Sequence, residues 1–371
     1  MPLHEAMSEV TLFMGGDLMT GRGVDQIFAR SCPPRLYEPV VRSALEYVKL
    51  AERASGPIPR PVDHAYVWAD ALDVFARVQP DVKIVNLETS VTTSDDAEAK
   101  GINYRMHPAN IPVLTAGGID CCVLANNHVL DWGEAGLLET LDVVKQAGVV
   151  VAGAGRDLAE ARAPATIDLE IGGRVLVFSF GAFDSGIAAR WGATPSRAGV
   201  QLLADCEDAT ADDISDFIVQ EKRAGDVAVV SIHWGPNWGY EISTDHRRFA
   251  HRLIDGGAVD VIYGHSSHHP KAIEIYRDRL ILYGCGDLLD DYEGITGQDA
   301  FRDDLVLTYF PIIDSATGRL IRLSMTPLQI HRFQLRHAAP EDRVWLRHVL
   351  DRECQRFGHR VIDDDGAFRV E

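Results

Sequence analysis

Five short apolar runs each close on a side chain able to hold a metal ion or a proton: FMGGD at Asp17, IVNLE at Glu88, LANNH at Asn127 and His128, VVSIHW at His233 and VIYGH at His265. In an open α/β sheet the carboxyl ends of neighbouring strands converge on one crevice, so donors scattered along a chain can meet in space. With His268 of GHSSHH added, the set mixes carboxylate oxygen, amide oxygen and imidazole nitrogen, a combination suited to one or two divalent ions.

The most specific stretch is ANNHVLDWG. Asn127 offers a neutral carbonyl oxygen and His128 a titratable imidazole, and one helical turn would set Asp131 beside the ring. A carboxylate so placed fixes the tautomer and raises the basicity of the imidazole, as proton transfer requires; a capping cluster at a helix start would use the same residues. In GGDLMTGRG, Gly15 and Gly16 permit a tight turn that aims Asp17 into the crevice, although an Asx turn would look the same. Glu88 of NLETS holds the equivalent place after a second strand. Trp234, Trp238 and Tyr240 of HWGPNWGYE are broad enough to shelve an aromatic side chain, or simply pack.

Such donors need strands to carry them. Runs rich in Val, Ile and Leu predict strands at about 10–16, 82–88, 121–126, 174–180, 227–234, 259–264, 280–285, 305–313 and 320–330, several of them continuously apolar, as strands covered on both faces are. Helical periodicity falls between them at about 66–78, 134–147, 211–224 and 245–256, which makes alternating β and α units and a layered α/β core. Pro57, Pro59 and Pro61 mark 53–64 as a loop. A last helix at about 341–357, with Leu346, Val349, Leu350 and Phe357 on one stripe, makes 331–371 a helical extension packed on a domain spanning 1–330.

A formal net charge of −19 argues against a nucleic-acid partner and disfavours an acidic polymer, since no basic patch is segregated in the sequence. The six cysteines show no CxxC spacing; Cys121 and Cys122 read as reduced core residues, and Cys285 is the one near the candidate site. The start, MPLHEAMSEVTLFMGG, has no basic leader, and no run approaches the roughly 18 apolar residues of a membrane span, so a cytoplasmic location without membrane contact is expected.

The ordered set GGDLM, NLE, ANNH, HWG and GHSSH, followed by IEIY and LYGCGD, resembles the CapA-type branch of the calcineurin-like metallophosphatases, named for poly-γ-glutamate capsule synthesis, over about residues 11–290. The resemblance implies a layered αββα sandwich of two mixed sheets flanked by helices and a dinuclear site for two divalent ions, whether Mn, Fe, Zn, Mg or Ca. It gives Asp17, Glu88, Asn127, His233, His265 and His268 as ligands, with Glu88 bridging, and His128 and Asp131 as an acid–base dyad behind them. Lys100, Tyr104 and Arg105 of KGINYRMHP match a substrate-side loop. Two departures stand out. The phosphatase form Asp-x-His is absent, because Leu18 and Met19 follow Asp17; and Cys285, Gly286 and Asp287 replace a Gly-Asn pair, adding a thiol and a carboxylate as further catalytic candidates.

The expectation drawn from these departures is a metal-dependent enzyme acting on a peptide. The ions would polarise a carboxylate or carbonyl, a base would remove the adjacent Cα proton, and the proton would return to the other face. Within the branch this resembles the lasso-peptide epimerases, which act on ribosomal precursor peptides carrying a leader. The alternatives are a dinuclear phosphoesterase, and a poly-γ-glutamate synthesis factor or non-catalytic scaffold.

Overall fold

The computed structural model describes residues 8–298 and 300–371, so the amino-terminal residues 1–7, part of the stretch read as lacking a leader, lie outside the described residues. Successive strand residues point to opposite faces, which turns the apolar runs directly into layers. In the strand Glu9–Leu18, Val10, Leu12 and Met14 enter one core while Phe13 and Leu18 enter another. The same alternation divides Ile84 from Val85 and Cys121 from Cys122, and it explains why these strands read as unbroken hydrophobic runs.

Two sheets result. The first runs in the order 361–364, 367–370, 319–330, 305–314, 9–18, 82–87, 121–123, 150–152, with Asp287–Leu289 lying beside Glu9–Leu18. It is mixed: Glu9–Leu18 is parallel to Val82–Leu87 and to Asp287–Leu289 but antiparallel to Leu305–Asp314. The second runs 202–203, 174–182, 227–233, 261–265, 279–282, 273–276, parallel except at its 273–276 edge and at Ala165–Asp168, which pairs with Arg174–Ala182. Between the sheets Val10, Leu12, Ile84 and Val123 meet Val177, Val229, Val261 and Leu282. Outside the first sheet lie the helices Leu45–Ser55, Asp70–Val78 and Gly133–Gln146; outside the second lie Asp208–Glu221 and Thr244–Asp255. This is the expected four-layer α/β arrangement. Truncating a buried Leu or Ile of such a core costs roughly 2–5 kcal/mol, so the strand ends that carry the donors sit on a stiff base.

The short strands 150–152, 165–168, 202–203, 273–276 and 287–289 were not expected from the sequence, and three larger elements also differ. The helix Leu45–Ser55 was not anticipated, although Tyr47, Val48 and Ala51 form its buried stripe. The helix expected from 66 begins at Asp70, because residues 66–69 form turns in which Trp68 is buried and its Nε1 donates to Val113 O at 2.7 Å. The carboxyl-terminal segment is more than a packed helix. After Pro340–Cys354 a hairpin, Val361–Asp364 with Ala367–Val370, joins the first sheet through Met325 opposite Phe368, and Leu350, Cys354 and Phe368 are part of the inter-sheet core. Among the described residues no helix is long and apolar enough to cross a membrane.

Candidate metal centre

Register brings the donors together. Parallel pairing sets His233 opposite His265, and sets Asp17 opposite both Asn86 and Asp287. The turn at Asp17 is a matter of close approach: a Cβ on Gly16 would lie 1.8 Å from Gly286 O, and the Asp17 N–H donates to that same oxygen at 2.9 Å. Only glycine lets the incoming Asp287–Leu289 strand come so near, and the register of Glu9–Leu18 shifts across Gly15 and Gly16 so that Asp17 faces the crevice. On the opposite sheet Ser266 takes φ +97, a strained conformation for a residue with a Cβ, held by its Oγ donating to Gly235 O at 3.0 Å. It lies between His265 and His268.

Two groups of donor atoms form, each with all members within 4.8 Å of one another: Asp17, His233 and His265, and Asp17, His268 and Asp287. Asp17 is common to both groups, while Glu88, which the resemblance gives as the bridge, belongs to neither. Glu88 stands beside them, its Oε1 4.0 Å from His233 Nε2 and its Oε2 accepting from Asn86 Nδ2 at 3.1 Å. Asn127 Oδ1 lies 3.2 Å from His233 Nε2. His233 Nδ1 and His265 Nδ1 are 3.2 Å apart, while Ser231 Oγ holds the other nitrogen of His265 at 2.8 Å. All six expected ligands are therefore gathered, and Asp287, which the sequence suggested as a catalytic group, joins them through a 2.9 Å contact with His268 Nδ1.

The electrostatics fit bound cations. Burial raises the pKa of Asp17 and pushes Glu88, Asp287 and Asp290 well above the usual carboxyl range, and repulsion from Asp17 adds to the effect on Glu88 and Asp287. Burial equally drives the imidazoles down, His265 to about 3 and His233 well below its ordinary value, which keeps them neutral and able to bind metal. Among the described residues Asp17 Oδ2, Asp287 Oδ2 and Asp290 Oδ2 have no hydrogen-bond partner although buried. Carboxylate oxygens withdrawn from water without donors are costly unless a cation meets them. The mixed oxygen and nitrogen set suits a divalent transition ion.

His128 and Asp131, expected as a dyad, meet as a pair. His128 Nδ1 lies 2.6 Å from Asp131 Oδ2, and its Nε2 faces the crevice 3.8 Å from Glu88 Oε1. Asp131 is fully held: Lys100 Nζ donates to Oδ1 at 2.8 Å and the Tyr104 N–H to Oδ2 at 2.6 Å. Burial lowers His128 to about 4 against the pull of Asp131, with Lys100 adding to the lowering. Tyr104 presses edge-on against the His128 ring at 4.7 Å.

Other expected site residues are used elsewhere. Cys285 points into the inter-sheet core, where burial holds its thiol protonated, so it is no catalytic nucleophile in this arrangement. Arg105 is consumed by Asp95 at 2.9 Å and by the face of Trp132 at 3.7 Å, and Tyr104 is buried against Tyr292, so of the KGINYR loop Lys100 alone reaches the dyad with its side-chain charge. Trp234 packs on the outer face of the second sheet, stacked on His246 with its Nε1 donating to Tyr283 O. Trp238 does sit at the site, its ring 5.2 Å from that of His268. Sequence reasoning passed over Asn86, Asn126 and Asp290. Asn126 Nδ2 bonds Asn86 Oδ1 and Leu87 O, and its Oδ1 accepts from the His128 and Val129 N–H groups, so the doubled asparagine of ANNH was the available signal.

The model of a family described as bacterial capsule synthesis protein PGA_cap matches residues 11–292. The chain is 47% identical over 355 residues to a probable polyglutamine synthesis accessory protein of Mycobacterium tuberculosis, covering 95% of this chain and 93% of that one. It is 25% identical to the capsule biosynthesis protein CapA of Bacillus anthracis, covering 88% of this chain and 69% of the relative. Among solved structures it is similar to one described as a novel phosphatase from Mycoplasma pneumoniae, at TM-score 0.46 and 11% identity, covering 86% of this chain and 94% of that one.

Proposed function

This chain belongs to the bacterial capsule synthesis protein PGA_cap family, and from that membership and the donor cluster we propose that it is a metal-dependent accessory enzyme of polyglutamate- or polyglutamine-type chain synthesis. The observation that carries the reading is one constellation: two donor groups sharing Asp17, with His128 Nε2 turned toward them. Divalent ions held by Asp17, His233 and His265 and by Asp17, His268 and Asp287 would polarise a carbonyl or other substrate oxygen. They would also supply the positive charge that the acidic chain as a whole lacks.

The rest falls to the residues themselves. Asp131 and Lys100 fix His128 so that Nδ1 keeps its hydrogen bond and Nε2 carries the proton traffic. Held neutral by burial, His128 takes the proton from the nucleophile as it adds to the amide carbonyl and gives it to the nitrogen that leaves as the C–N bond breaks. Trp238 and Tyr240, half-buried beside His268 and His269, line an approach for an extended chain. The lasso-type epimerase expectation needs the same donors and dyad, but the curated names of the relatives point to polymer synthesis.

The test incubates metal-loaded protein with poly-γ-glutamate and polyglutamine oligomers in deuterated water, following chain length by mass spectrometry. A change in chain length that requires His128 supports the proposal. Deuterium at one Cα with no change in length would instead make it an epimerase, and rapid release of phosphate from simple esters with no action on either oligomer would make it a phosphoesterase.

A further inference from the structure

On the far side of the second sheet from the metal centre lies a cavity of about 230 Å³. Lys271 lines it, 95% buried, and among the described residues its ammonium makes no hydrogen bond and no ion pair. The nearest acidic group acting on it is Asp184, through space, while Asp184 itself is engaged by His246 Nε2 at 2.8 Å and by the Gly235 N–H at 3.0 Å. The side chain is buried while Nζ opens on the cavity, so the cation is largely desolvated with no acceptor among the described residues to compensate it. Burial brings Lys271 down to about 8, so an incoming anion would restore the charged form.

The surroundings select the anion's chemistry. The helix Thr244–Asp255 begins at the cavity with Ser243 as its cap, adding the partial positive charge of a helix N-terminus to that of Lys271. Trp234, Tyr283 and Ile242 give apolar walls, and the carboxylates of Asp184 and Glu241 stand exposed at the mouth. A positive floor, a short apolar passage and a negative rim match a molecule with a carboxylate at one end and an ammonium at the other. The volume is below the range of drug-sized pockets, which begins at roughly 300 Å³. We propose that this cavity is a second ligand site, which takes a small amino acid with its carboxylate on Lys271 and its ammonium between Asp184 and Glu241.

The loop that closes the cavity also reaches the metal centre. Trp234 and Pro236 border the cavity, and the next residue, Asn237, accepts from the His268 N–H at 3.0 Å through its carbonyl oxygen and contacts His268 Nε2 at 2.9 Å. A ligand here would therefore bear on the loop that buttresses one of the metal donors.

Isothermal titration of the metal-loaded protein with L-glutamine, glutarate and inorganic phosphate tests the site. L-glutamine should bind saturably, and Lys271→Met should weaken it roughly 10–100-fold, the range for a lost charge-assisted bond. Glu88→Gln, which alters the metal centre and reaches the cavity only through the Asn237 loop, should change that affinity far less than Lys271→Met does. Should Lys271→Met fail to fold, Asp184→Asn with Glu241→Gln at the exposed mouth decides the matter, weakening L-glutamine about 2–5-fold while sparing glutarate. Binding of phosphate alone, L-glutamine affinity indifferent to these substitutions, or no binding of any probe at millimolar concentration each overturns the proposal.

Discussion

Replacing Glu88 by Gln should have opposite effects on the metal-free and the metal-loaded protein. Without cations the crevice holds Asp17 and Glu88 against each other, and among the described residues Asp17 Oδ2 accepts no hydrogen bond once Glu88 is ionised. The Gln amide would supply one, a gain of about 1–3 kcal/mol for satisfying a buried polar atom. For 371 residues the unfolding entropy is about 0.8 kcal/mol per kelvin, so the metal-free melting temperature should rise by about 1–4 °C. With metal the balance turns. Two ions at a hundredfold excess over their Kd stabilise the folded state by about 5 kcal/mol together, or about 7 °C on the same scale, and the variant, lacking the carboxylate that stands beside His233, should recover less than half of that.

The pH dependence follows from the same carboxyls. A carboxyl whose folded pKa is raised contributes stability below its ordinary value, 4.5 for Glu88, and loses it as pH climbs through the folded value. Metal-free wild type should therefore melt at progressively lower temperature as pH rises from about 4.5, with a shallower decline in Glu88→Gln. Differential scanning calorimetry with and without added Mn or Zn reads both effects. If Glu88→Gln lowers the metal-free melting temperature, or if no divalent ion stabilises the wild type, the cluster is not a metal centre.

Metal stoichiometry should separate the shared donor from the others: Asp17→Ala loses both ions by mass spectrometry of metal content, whereas Asp287→Asn loses one, and equal losses would show that Asp17 does not bridge. His128→Gln should abolish turnover with metal content unchanged, and Asp131→Asn should lower kcat by about 10²–10⁴; full activity in either removes the dyad from the mechanism. Lys100→Met takes away a cation that lowers His128, so the acid limb of the rate profile should move to higher pH, and an unmoved limb would assign that limb to another group. Gly16→Ala places a methyl against Gly286 O and should destabilise the fold by about 1–3 kcal/mol on thermal unfolding; wild-type stability would mean that the two strands do not approach as closely as described.

The sequence alone determined the layers and the ends of the strands. Period-two burial on continuous apolar runs requires covered parallel strands, and a polar residue closing such a run must sit at the carboxyl edge, which is how Asp17, Glu88, Asn127, His233 and His265 were legible as one cluster. The dyad was legible too, because His128 and Asp131 are three residues apart and their geometry is local. What only the tertiary structure decided was which competent groups remain available. Arg105 and Cys285 have the right chemistry in the right neighbourhood, yet Trp132 and Asp95 occupy the first and the inter-sheet core takes the second. Asp17 became the shared donor because Gly16 and Gly286 approach across 270 residues of chain. Lys271, unremarkable in the sequence, was left without a partner among the described residues by the way the second sheet packs on its helices. Contacts at such separations depend on register and on packing between elements, and a pattern read along the chain does not contain them.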